Sequence, residues 1–213
     1  MRPITRCLSL IACVLSLSVS IRLDAQEAPV ILVVGDSLSA AYNMPLDAAW
    51  PRLLERRLAD EGAAYSVVNA SITGDTTQGG LTRLPRLLER HAPDWVIIEL
   101  GGNDGLRGIS LDVTRSNLES MVTLSQAAGA RVLLTGIMLP PNYGQSYTER
   151  FQALYAELAE EHGTLLVPFF MEGVALVDGM MQDDGIHPSI EAQPVLLDNV
   201  WAVLAPAITT PQG

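Results

Sequence analysis

Residues 30–42 read VILVVGDSLSAAY, and the fold turns on how the two halves of that stretch are joined. Val30 to Val34 are apolar and mostly β-branched, the composition of a strand covered on both faces. Gly35 and Asp36 stop the run, and Ser37 opens a segment of small, helix-compatible residues. Ser and Asp are common at helix N-termini, so local chemistry by itself makes Ser37 a cap. Its reading as a nucleophile has to come from the rest of the chain.

Further apolar runs follow: YSVVNA from Tyr65, DWVIIEL from Asp94, RVLLTGIM from Arg131 and TLLVPF from Thr164. Together with Val30–Val34 they predict five short strands. Between them lie amphipathic segments, AWPRLLERRLADEG, LTRLPRLLERH, DVTRSNLESMVTLSQAAG and YTERFQALYAELAEEHG, most ending in Gly or His where a helix C-terminus would fall. A last helix is expected beyond Pro188. Strict alternation of strand and helix predicts an α/β fold, a parallel sheet between layers of helices. Such a sheet binds ligands just beyond the carboxyl ends of its strands. The segments in those places are polar and glycine-rich: GDSLS, SITGDTTQGG, GGNDG and MQDDGIHPS.

Composition narrows the chemistry. With 213 residues, 48% hydrophobic and 17% charged, the chain fits one globular domain. Arg2 and Arg6 precede an uncharged apolar run of 15 residues, Cys7 to Ile21, followed by the polar RLDAQEA. This is the pattern of a secretory signal peptide, residues 1–25 with cleavage near Ala25, and it places the domain at 26–213 in the periplasm or outside the cell. The run is shorter than the roughly 20 residues a spanning helix needs, and no later segment is long enough, so stable membrane insertion is not expected. Cys7 and Cys13 both lie in the leader, which leaves the remainder without a thiol for a disulfide, zinc or nucleophilic catalysis. All 13 basic residues are arginine, so there is neither a Schiff-base lysine nor a P-loop lysine. The net charge is −11, and the leader holds three arginines and one aspartate, so the remainder stands near −13. Nucleic acid would be repelled.

A serine nucleophile needs a base, a carboxylate to orient that base, and donors for the oxyanion. Of the three histidines, His91 and His162 close predicted helices, where the dipole suits them. His187 lies in DDGIHP, where Gly185 permits a tight turn and Asp184 stands three residues away. That spacing can bring an Asp oxygen to the ring nitrogen remote from serine; read alone, the same motif is a helix-entry turn. Gly74 can offer a bare backbone N–H, Asn103 a side-chain amide, and Ser37 its own N–H at a helix start. Each loop singly means only a turn. Four loops at one sheet edge that supply complementary parts point to catalysis, without cofactor or metal.

GDSLS around Ser37, NASITGDT with Gly74, GGND with Asn103, and DGIHP with Asp184 and His187 resemble the ordered blocks of the SGNH (GDSL) hydrolase family. AAWPRLL, LGGNDGLRG and LPPNYG resemble most the bacterial periplasmic thioesterase I, lysophospholipase and arylesterase group. The resemblance implies a flavodoxin-like three-layer α/β/α sandwich. It implies Ser37 as nucleophile, His187 as general base and acid, Asp184 as the orienting carboxylate in preference to Asp183, and the Ser37 N–H, Gly74 N–H and Asn103 as oxyanion hole. Asp36, Asp75 and Asp104 are expected to hold their loops by hydrogen bonds.

The expected activity is hydrolysis of small acyl esters or thioesters, with no obligate protein partner. IMLPPNY, on the loop leaving the fourth strand, is expected to line an acyl groove through Leu139 and Tyr143; the competing reading has both closing the core. Two other functions stay open on sequence: a carbohydrate O-deacetylase, and a non-catalytic module binding an anion at a helix start near Ser37.

Overall fold

The computed structural model describes residues 28–209. The expected signal peptide and Thr210–Gly213 lie outside them, as do Cys7 and Cys13. Five strands form one sheet in the order β2-β1-β3-β4-β5, every neighbouring pair parallel. They are β1 (Val30–Gly35), β2 (Ser66–Asn69), β3 (Trp95–Glu99), β4 (Arg131–Thr135) and β5 (Leu165–Val167). The edge strands are shorter than their apolar runs.

Alternate residues of each strand face opposite sides, and two separate cores result. Leu32, Val34, Val96, Ile98, Val132 and Leu134 pack against α2 (Thr77–His91), α4 (Leu111–Ala127) and α5 (Gln145–His162). Ile31, Val33, Trp95, Ile97 and Leu133 pack against α1 (Trp50–Asp60) and α6 (Gln193–Thr209). The central strands are apolar along their middle positions because both faces are covered. Each wholly buried Leu, Ile or Val contributes about 1.5–3 kcal/mol relative to exposure. The expected three-layer sandwich is the fold.

Two elements depart from the sequence expectation. Ser37 does not start a helix: residues 36–44 form successive turns, with the Ala40 N–H donating to Asp36 O at 2.9 Å, and the next long helix begins only at Trp50. Ala41 and Asn43 in this stretch have φ of 60° and 54°, which a right-handed helix cannot accommodate. In addition, GNDGL forms a short helix, α3 (Gly102–Leu106), where the sequence predicts a loop. At five residues it is too short to leave a periodic signal. No helix among the described residues is long and apolar enough to cross a membrane.

Candidate active site

β1, an interior strand between β2 and β3, delivers Ser37 two residues past its last position. The approach is built on carboxylates. Asp36, 2% exposed, accepts the Leu38 N–H at Oδ1 (3.1 Å) and the Asn103 amide at Oδ2 (2.9 Å). Burial pushes the Asp36 carboxyl up to about 6, against the pull of the Leu38 N–H and the Asn103 amide. Below it, wholly buried Glu99 ends β3 and receives the Ser39 hydroxyl at 2.7 Å and the Asp36 N–H at 3.3 Å on Oε2. Burial, and then the nearby Asp36 charge, raise the Glu99 carboxyl well above its ordinary value.

The His187 loop arrives from the far end of the chain. It turns at Gly185, whose φ of 66° is left-handed, and is closed by a bridge between Met181 and Pro188. Asp184 Oδ1 accepts the N–H groups of Ile186 and His187, each at 2.9 Å, and Oδ2 lies 2.7 Å from His187 Nδ1. The His187 N–H and then its imidazole draw the Asp184 carboxyl down to about 2, so it is an anion that only accepts. His187 Nδ1 therefore carries the proton, leaving Nε2 to accept from Ser37 Oγ, 2.9 Å away. Exposed Asp183 makes no contact with the ring. His91 and His162 end α2 and α5.

Gly74 (φ 76°) lies on the loop after β2, and Asn103 lies in α3, directly after β3, where its amide reaches Asp36. Arg83 of α2 ties the first two loops together: its guanidinium pairs with Asp75 (2.8 Å) and donates to the carbonyls of Gly35 (3.2 Å) and Ala70. Asp104 accepts the Thr77 N–H at 2.9 Å and also the Thr77 hydroxyl. Asp75 accepts the Thr76 N–H at 3.1 Å, so these acidic residues hold loops as expected. Among the described residues the N–H groups of Ser37 and Gly74 donate to no protein acceptor, and the Asn103 amide has one hydrogen left after Asp36 takes the other.

Leu139 is placed differently from the groove lining expected of it. It is 7% exposed and packs in the α2–α4–α5 core, where its side chain lies so close over Gly105 that no Cβ would fit there. The loop after β4 turns inward at this point because an apolar side chain gains more there than at the rim. Tyr143, 37% exposed, is the open member of the pair, with its hydroxyl donating to Leu106 O at 3.3 Å. Away from the site, Glu119, Glu161 and His162 cluster between α4 and α5, but the Arg115 guanidinium already pairs with both glutamates.

Sequence reasoning passed over Glu99, Ser39 and Tyr42. For Glu99 a signal existed: an acidic residue closing an otherwise apolar strand. Tyr42 carried none.

The fold and the loop chemistry together define a serine-dependent hydrolase class on an α/β/α frame. A family model described as the GDSL-like Lipase/Acylhydrolase family matches residues 33–193, and the chain belongs to that family. It is thus an enzyme of ester hydrolysis. It is 56% identical to the esterase TesA of Pseudomonas aeruginosa, over 85% of this chain and 90% of that protein. It is 50% identical to thioesterase 1/protease 1/lysophospholipase L1 of Escherichia coli K12, over 86% and 87%. The crystal structure of psychrotrophic esterase EstA from Pseudoalteromonas superposes with a TM-score of 0.81 at 39% identity, over 85% of this chain and 99% of that one.

Proposed function

We propose that this protein is an exported serine esterase that cleaves carboxylic esters and thioesters through an acyl-Ser37 intermediate. The observation that carries the reading is the continuous line from Ser37 Oγ to His187 Nε2 at 2.9 Å and from Nδ1 to Asp184 at 2.7 Å. As Ser37 Oγ attacks the acyl carbon, His187 Nε2 takes its proton and the carbonyl oxygen becomes an anion. The Ser37 N–H, the Gly74 N–H and the remaining Asn103 hydrogen are available to receive that anion. The alcohol or thiol leaves with the proton from Nε2. Water then attacks the acyl-Ser37, gives its proton to Nε2, and the acid departs as Ser37 recovers its own.

The substrate class is small acyl esters: aryl or short-to-medium acyl esters, acyl-CoA and lysophospholipid. The names of its relatives, esterase and thioesterase 1/lysophospholipase L1, support this range. Exposed Tyr143 on the loop leaving β4 would flank the acyl chain. Export rests on residues 1–25, with the mature chain in the periplasm or outside the cell.

The test is turnover of p-nitrophenyl acetate, butyrate and octanoate by the protein and by Ser37→Ala, with fluorophosphonate labelling mapped by mass spectrometry. Turnover and a label on Ser37 are expected. An alanine variant as fast as the parent overturns the assignment.

A further inference from the structure

The Tyr42 ring stacks on the His187 imidazole, with centroids 4.0 Å apart and 29° between the planes. The backbone that presents it is strained. Ala41 and Asn43, on either side, hold φ of 60° and 54°, the left-handed region that residues with a Cβ seldom enter. Strain of this kind persists only where the surroundings fix the chain. Here the surroundings are Gln182, whose Nε2 donates to Tyr42 O (3.1 Å) and Pro188 O (2.9 Å) while its N–H donates to His187 O (2.8 Å). A single residue thus locks the Tyr42 turn to the loop that carries His187. At the other end of the turn, Asn69 Nδ2 donates to Ser39 O at 2.7 Å.

The contacts of His187 with Asp184 and Ser37 both lie in the plane of the imidazole. They fix where its two nitrogens point and leave the ring free to roll about the line between them. A face contact is what removes that freedom. An aromatic face also attracts a cation more than it attracts a neutral ring. The imidazole becomes a cation as Ser37 gives up its proton, so the attraction grows toward the transition state, where it accelerates the reaction.

We infer that Tyr42 is a positioning residue for the base: its ring face holds the His187 plane in register with Ser37 and favours the imidazolium. This rests on the assignment of Ser37 and His187 as nucleophile and base. Among the described residues the Tyr42 hydroxyl makes no hydrogen bond to protein, so the ring face, and not the phenol, carries the effect.

The test compares kcat and KM for p-nitrophenyl butyrate, the rate of fluorophosphonate labelling and the melting temperature across Tyr42→Phe, Tyr42→Leu and Tyr42→Met. The Phe variant should stay within about twofold of the parent. Leu and Met, of comparable reach without a ring face, should lose about 5- to 20-fold in kcat and in labelling rate, with KM and melting temperature little changed. If Leu unfolds, Met decides. Leu and Met matching Phe in kcat, a loss confined to KM, or a Phe variant as slow as Leu would each overturn the inference. Failure of the parent to turn over the ester, or a fully active Ser37→Ala, would instead sink the nucleophile assignment beneath it.

Discussion

Ser37 Oγ and His187 Nε2 stand 2.9 Å apart although 150 residues of chain separate them. Contact across that span exists because the segment after β5, at the far edge of the sheet, returns to the carboxyl end of interior strand β1, where Gln182 also reaches the Tyr42 carbonyl. Groups that act as one unit in catalysis lose activity as one unit. Ser37→Ala and His187→Ala should each lower kcat by roughly 10⁴- to 10⁶-fold, and the double variant should be hardly worse than either. Initial rates on p-nitrophenyl butyrate decide it. Multiplying losses would mean that the two side chains work separately.

Asp36 gives the protein a pH dependence of definite sign. Its carboxyl is ordinary, 3.8, when unfolded and rises to about 6 in the fold because burial opposes its charge. Between those values the folded state binds more protons than the unfolded one, so this group makes stability fall as pH rises through the window. The loss is complete above pH 6 and amounts to about 3 kcal/mol at most. Asp36→Asn removes the dependence. In urea melts at pH 4 and pH 8, the variant should gain about 2–3 kcal/mol on the parent between the lower and the higher pH. It should also turn over more slowly, since Asn103 then loses an anionic acceptor. A stability difference that is the same at both pH values refutes the account of Asp36.

Glu99 should tolerate one substitution and resist another. Its buried carboxyl presents one accepting oxygen to the Ser39 hydroxyl and the Asp36 N–H. Glu99→Gln keeps an accepting oxygen for both donors and should cost less than Glu99→Leu. Glu99→Leu leaves two buried donors without an acceptor, and each costs about 1–3 kcal/mol. The Leu variant should therefore melt well below the Gln variant, and kcat should fall with it because Ser37 sits between the two released groups. Equal melting temperatures for Gln and Leu would show that Glu99 holds nothing.

The sheet was legible because its signal is local. Val30–Val34 and Asp94–Leu100 are apolar at nearly every position, as only strands covered on both faces are. The blocks bearing Ser37 and His187 stand out for another reason, a hydroxyl, an imidazole and a carboxylate in separate loops, and the fold brings those three groups within hydrogen-bond reach. What escaped was decided by contacts between distant segments. Ser37 reads as a helix start because Leu38–Tyr42 has helical composition; the left-handed Ala41 and Asn43 flank Tyr42, whose carbonyl accepts from Gln182, 140 positions further on. Leu139 was read as lining a groove because apolar loop residues look alike whether they face substrate or core. The helix Gly102–Leu106 is too short and glycine-rich to show periodicity.

Asn103 links the acidic network to the chemistry, and two consequences of removing its amide can be separated. Nδ2 donates one hydrogen to Asp36 Oδ2 at 2.9 Å, an arrangement that fixes the amide and leaves its second hydrogen available. Asn103→Ala should lower kcat by about 10²- to 10³-fold, the usual loss of one oxyanion donor, with KM changed little because the donor acts on charge that develops only in the transition state. The same change strips Asp36 of a hydrogen bond that draws its carboxyl down, so the Asp36 titration should move above about 6. Carboxyl-carbon NMR of Asp36 in parent and variant reads that shift directly, free of any rate measurement. Asn103→Asp is the contrasting variant: it places a second carboxylate against Asp36 and a like charge beside the oxyanion, and should be slower than Asn103→Ala at pH 8 and recover toward it as pH falls. An Asp variant faster than the Ala variant at pH 8 would mean that the side chain at 103 does not face the developing anion.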